Sequence, residues 1–77
     1  MEIREALAHN LRVYRHARGL SQEELAHRAD VDRTYISALE RSVYAASIDV
    51  LDRIAKVLEV ETAELLKIPT APQDPTA

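Results

Sequence analysis

The sequence predicts an all-α domain, a compact bundle of five short helices. Three observations predict it. Leu, Ile, Val and Ala supply nearly all of the apolar mass, while Phe and Trp are absent and Gly occurs once, a mix that favours helices. Apolar residues recur at helical spacing in successive segments. Each segment is bounded by residues that start or stop a helix. With 77 residues, 47% of them hydrophobic and 30% charged, the chain holds one small domain with a thin core. Association is then a natural way to bury more surface. A doubly wound sheet, a barrel and a two-domain enzyme are all excluded by length.

The first helix is expected over about residues 2–18, where Ile3, Leu7, Leu11 and Tyr14 share a face. Gly19 ends it, because only glycine enters the left-handed region without penalty. Ser21-Gln22-Glu23-Glu24 reads as a capping box, with the Ser21 hydroxyl accepting from the Glu24 amide and the Glu24 side chain returning to Ser21. It opens a helix over 22–29 that buries Leu25, Ala26 and Ala29. Asp30-Val31-Asp32 breaks this helix, and Asp32 is positioned to cap the next. That third helix runs over about 33–41 with Ile36 and Leu39 inward. Residues 42–47 form a loop, and Ser47 caps a fourth helix over 48–58 whose stripe is Leu51, Ile54, Ala55 and Leu58. A last short helix is expected near 62–67. Residues 1–68 therefore form the domain. The Pro-rich segment 69–77 lacks the apolar residues to build a core and is expected to be a flexible tail.

Composition narrows the function. Without cysteine there is no disulfide, thiolate metal site or cysteine nucleophile. No apolar run reaches the roughly 20 residues of a membrane span, and MEIREALAHNLR is too polar for a signal peptide. A cytoplasmic location is expected, with no membrane partner. Net charge is −3, but its distribution is uneven. The arginines of residues 1–41 are balanced by acids there. Beyond residue 41, Arg53, Lys56 and Lys67 face Asp49, Asp52, Glu59, Glu61, Glu64 and Asp74. A basic face on the N-terminal half is compatible with that asymmetry.

Catalysis finds no support. His9 and His16 could share a helix face, yet no third ligand follows at metal spacing, so solvated histidines are expected and no metal site. Glu23 and Glu24 point apart on a helix, and capping with dipole compensation explains them. Ser21, Ser37 and the histidines make no nucleophile motif. Neither an enzyme nor a cofactor is expected.

The informative feature is the pair of helices 22–29 and 33–41 with only a three- or four-residue connection. So short a turn forces a steep crossing, as in a helix-turn-helix unit. In such a unit the second helix offers its N-terminal side chains to the major groove of double-stranded DNA. Arg33, Thr34, Ser37 and Ala38 lie opposite Ile36 and Leu39 and are the candidate base-reading residues. Arg33 can make a bidentate contact to guanine O6 and N7, and the Thr34 methyl can touch a thymine methyl. Gln22, at a helix N-terminus, is placed for a phosphate. Arg33 is an unfavourable charge at its own helix N-terminus, a cost that a DNA contact would repay.

The stretch GLSQEELAHRADVDRTYISALER resembles the core of the Cro/phage-repressor (XRE-type) helix-turn-helix proteins. The likeness continues through LDRIAKVLEV to ETAELL. VDRTYIS, in a chain this short, is also similar to restriction-modification controller proteins. The resemblance implies a five-helix lambda-repressor-like fold. It implies a homodimeric regulator of transcription acting on a palindromic operator. It further implies phosphate contacts by Gln22, Tyr35 and Arg41, base reading at Arg33, Thr34 and Ala38, and a structural ion pair between Arg15 and Glu40. The chain departs from the pattern where relatives place glycine: Asp30, Ser42 and Glu59 stand at those turns. It also has Ser42-Val43-Tyr44-Ala45-Ala46 where a basic loop is usual. Val60, Leu65, Leu66 and Ile68 are either ordinary core or a dimer interface, and because helical spacing cannot bury all four within one small monomer, some are expected to meet a second subunit. The other function class compatible with the sequence is an antitoxin-type interaction module binding a toxin partner through its acidic half and the Val43-Tyr44 loop.

Overall fold

The computed structural model of the protein describes residues 2–68. These fold into five helices: α1 (Ile3–Ala17), α2 (Gln22–Ala29), α3 (Arg33–Glu40), α4 (Ile48–Leu58) and α5 (Thr62–Leu66). The all-α expectation holds, with no strand among the described residues. The segment 69–77, expected to be a tail, lies outside them. Among the described residues no helix is long and apolar enough to cross a membrane.

Side-chain caps start α1, α2 and α4. Glu2 and Glu5 form a capping box at α1, with the Glu2 amide donating to Glu5 Oε1 at 2.9 Å. At α2 the Glu24 amide donates to the Ser21 hydroxyl and the Ser21 amide to Glu24 Oε1, both at 3.0 Å. The Ser47 hydroxyl accepts from the Val50 amide at 3.1 Å to open α4. Asp32 occupies the N-cap of α3, but its side chain makes no capping hydrogen bond. The expectation for Asp32 thus holds for position and not for the bond.

One device ends α1 to α4. After each, a residue at positive φ reverses the chain, and the next amide returns to a carbonyl five residues back. Leu20 N reaches Arg15 O at 3.1 Å, Val31 N reaches Ala26 O at 2.9 Å, Val43 N reaches Ala38 O at 3.1 Å and Val60 N reaches Ala55 O at 3.0 Å. The reversing residues are Gly19 (φ 69°), Asp30 (61°), Ser42 (63°) and Glu59 (61°). Only the first is glycine, so the other three carry the cost of a Cβ in the left-handed region.

The core joins all five helices through the fully buried Leu11, Leu25, Ile36, Leu39, Ile54, Leu58 and Leu65. Helix α1 packs on α3 and α5, while α2 packs on α3 and α4. Buried Asn10 of α1 donates through Nδ2 to Leu65 O (3.0 Å) and Lys67 O (2.7 Å), fastening the end of α5. No buried side-chain polar atom of the described residues lacks a partner, as a small core demands. Leu65 corrects one expectation. Offered as a dimer-surface residue, it is enclosed by its own chain. Folding α5 back onto α1 turns its face inward.

Candidate nucleic-acid interface

Helices α2 and α3 are joined only by Asp30-Val31-Asp32. They press together through Leu25, Ala26, Ala29, Ile36 and Leu39, all buried. That packing leaves the N-terminal end of α3 at the surface. Arg33 and Thr34 are exposed there, with Ser37 and Ala38 half-buried one turn further on. The first turn of α3 contains no acidic residue. Its free amides, the helix dipole and the Arg33 guanidinium are positive there, opposed by the exposed Asp32 carboxylate at the N-cap beside them. Among the described residues Arg33 makes no ion pair, and neither does Arg41 just past the end of α3.

The far end of α3 is anchored by a buried carboxylate. Arg15 Nε donates to Glu40 Oε2 at 2.6 Å, and its Nη2 donates to Oε1 at 3.0 Å. The remaining guanidinium nitrogen, Nη1, reaches Leu20 O at 2.9 Å. Gln22, the first residue of α2, donates through Nε2 to the same Glu40 Oε1 at 3.0 Å. Arg12 Nη1 donates to the Glu40 carbonyl oxygen at 2.6 Å, closing the C-terminal end of α3. Glu40 thus ties α1, α2 and α3 together. Gln22 reaches from the surface into this network, so one of its N–H groups is committed within the protein.

Tyr35 is half-buried and tied to the loop that follows α3. Its hydroxyl accepts from the Ser47 amide at 3.3 Å. Its ring meets Tyr44 edge-on, with centroids 5.4 Å apart and planes at 88°. Sequence reasoning did not anticipate the Arg12 contact, the Gln22–Glu40 bond or the Tyr35–Tyr44 pair. Arg12 and Arg15 stand three apart on one face of α1, which is the one signal that could have paired them at Glu40.

The four residues expected at a dimer surface are divided by the fold. Val60 and Leu66 are half-buried, Ile68 is exposed, and Leu65 is interior. The larger exposed apolar side chains lie elsewhere. Ile48 is 81% exposed and Ile3 54%. Both border an apolar cavity of about 230 Å³ whose walls include Leu7, Ala45, Ala46, Leu51 and Leu66. Periodicity does not reveal Ile48, because it continues the stripe of Leu51 and Ala55 and yet stands exposed. Among the described residues no three His, Cys, Asp or Glu side chains gather as a metal site.

Comparison with known proteins places these features in context. The helix-turn-helix family model HTH_3 matches residues 11–65. A hypothetical transcription factor of Neisseria meningitidis is 40% identical over 68 residues, covering 88% of this chain and 64% of its own length. This chain therefore spans less than two thirds of that relative. The crystal structure of a hypothetical transcription factor from Neisseria superposes with a TM-score of 0.85, over 88% of this chain and 78% of that one. The control protein C.SmaI of Serratia marcescens is 41% identical over 66 residues, 86% of this chain and 79% of its own. SinR, a master regulator for biofilm formation solved in complex with DNA, is 34% identical with a TM-score of 0.76, over 79% of this chain and 98% of that structure.

Proposed function

The chain belongs to the helix-turn-helix family HTH_3, and from that premise we propose that it is a transcriptional regulator that binds double-stranded DNA sequence-specifically. It acts as a homodimer on a palindromic operator, in the manner of a restriction-modification controller. The observation that carries this reading is the N-terminal end of α3. Arg33 and Thr34 stand exposed, no acid is present in the first turn, and Arg33 has no ionic partner among the described residues. Such a surface lowers its electrostatic energy by meeting an anion or a guanine edge.

In this reading α3 enters the major groove. Arg33 takes a guanine, Thr34 and Ala38 make apolar contacts, and Ser37 serves either type of base. Arg41 and Tyr35 flank them toward the phosphates. Gln22 meets a phosphate with the N–H not committed to Glu40. The ion pair of Arg15 and Glu40 is structural and sets the angle between α1 and α3. Solved SinR bound to DNA and the relatedness to C.SmaI support the assignment. Residues 1–68 act as the binding domain.

A second copy of the chain covers Ile48, Ile3 and the cavity between them, with Leu66 and Ile68 at the edge. Exposed isoleucines on a domain with so thin a core favour self-association. A twofold dimer sets its recognition helices about 34 Å apart, matching half-sites about 10 bp apart. The test is selection of bound duplexes from a randomised pool at fixed salt, with Arg33→Ala in parallel. A twofold-symmetric motif is expected. The variant should lose about 1–3 kcal/mol and relax one position per half-site. Weak, salt-sensitive binding to every duplex would overturn the reading and turn the search to a protein partner.

A further inference from the structure

The loop after α3 carries Val43 and Tyr44, both more than half exposed. Positive φ at Ser42 turns this loop back against the helix, and the Val43 amide is fixed on Ala38 O at 3.1 Å. Between helix and loop lies an open groove of about 660 Å³, lined by Val31, Asp32, Thr34, Tyr35, Ala38 and Tyr44. Thr34 and Ala38 stand four residues apart on α3, so their methyl groups form one wall. The Tyr44 ring forms the other and is 54% exposed. Its place is set by two successive contacts. Tyr44 rests edge-on against Tyr35, and the Tyr35 hydroxyl holds the Ser47 amide.

The chemistry of the lining selects its occupant. The one ionisable acid among these residues is the Asp32 carboxylate, which repels a phosphate. The rest presents the methyl groups of Val31, Thr34 and Ala38 and the rings of Tyr35 and Tyr44, with the Thr34 and tyrosine hydroxyls as uncharged polar groups. Arg33, the neighbour of Thr34 in α3, and Arg41, just past the end of α3, lack ionic partners among the described residues. With Arg33 taking a guanine and Arg41 a phosphate, as read above, a base edge rather than a phosphate falls to the groove. In the major groove the apolar feature of a base edge is the C5-methyl group of thymine.

We infer that Tyr44, with Thr34 and Ala38, forms an apolar subsite that reads a thymine methyl beside the contact made by Arg33. The inference rests on the DNA-binding reading above. It assigns a specificity-determining role to a loop residue that is not basic. The Tyr44 hydroxyl makes no hydrogen bond among the described residues, and the role assigned is that of the ring, which Tyr44→Phe retains.

The test replaces each thymine of the selected duplex by uracil, which lacks only the methyl, and compares the protein with Tyr44→Ala and Tyr44→Phe at one salt concentration. One position per half-site should lose about fourfold in affinity on losing its methyl, the worth of one buried methylene. The same loss is expected with Tyr44→Phe. Tyr44→Ala should bind the thymine and uracil duplexes alike, with its helical circular dichroism retained. If no uracil substitution matters to the unaltered protein, the subsite is overturned while DNA reading stands. An undiminished thymine preference in Tyr44→Ala removes Tyr44 from it. Failure to select any sequence overturns the parent reading and this one with it.

Discussion

Arg15 grips Glu40 from the side, with Nε on one carboxylate oxygen at 2.6 Å and Nη2 on the other at 3.0 Å. The side chains are 11% and 4% exposed. So buried a pair adds little compared with apolar residues of the same shape, but breaking it leaves a lone charge in the core. Glu40→Ala should therefore cost about 3–5 kcal/mol in chemical denaturation. The double substitution Arg15→Met, Glu40→Leu should cost much less than the single one. A loss below about 1 kcal/mol for Glu40→Ala would show that water replaces the carboxylate.

Arg41 is read as a phosphate contact, which carries no base information. Arg41→Ala should weaken selected and scrambled duplexes by similar factors. The slope of log affinity against log salt should fall by about 0.9 per protomer. A change confined to the selected duplex would make Arg41 a base reader instead.

Ile48 is the most exposed large apolar side chain of the described residues. Ile48→Asp should remove self-association while leaving the helical circular dichroism intact, because its side chain supports no core contact that folding needs. Sedimentation velocity should report a monomer at concentrations where the proposed dimer of the parent is expected. A dimer that survives the charge would place the interface elsewhere.

Glu59 reverses the chain after α4 at φ 61°. Glu59→Gly should relieve the Cβ penalty of about 1–2 kcal/mol. Part of that gain is lost to the greater freedom of glycine in the unfolded chain. A net stabilisation of about 0.5–1 kcal/mol is expected. The exposed ion pair with Arg18 at 3.2 Å is a small sacrifice, since such pairs contribute little. A lower thermal midpoint would show that the ion pair outweighs the strain.

Glu24 is held below the ordinary glutamate value of 4.5, chiefly by the Ser21 backbone amide, with the Ser21 hydroxyl and Arg28 adding to it. A depressed folded value means that the contribution of ionised Glu24 is complete above the unfolded value. It is then lost as pH falls through the lower folded one. Glu24→Gln keeps the capping geometry but does not titrate. The stability advantage of the parent should be present at neutral pH and vanish below 4.5. An advantage unchanged in acid would detach it from this carboxylate.

Much of this protein is legible in its residues because much of it is local. The bounds of α2 at Ser21 and Ala29, the start of α4 at Ser47 and the turn at Gly19 depend on contacts within five residues, and hydrophobic spacing marks the inward face of each helix. The exposure of Arg33 and Thr34 follows from the same spacing, since Ile36 and Leu39 must face inward. Tertiary structure alone decided the rest. Leu65 is core because α5 folds back on α1, and Ile48 is surface because no other helix covers the start of its stripe, although both sit on apolar stripes. Gln22 bonds to Glu40 across 18 residues of sequence, and Tyr44 stands on Tyr35 because Ser42 reverses the loop. Periodicity gives the direction of a side chain about its own helix axis. What that direction meets is set by the packing of other helices, which no local pattern encodes.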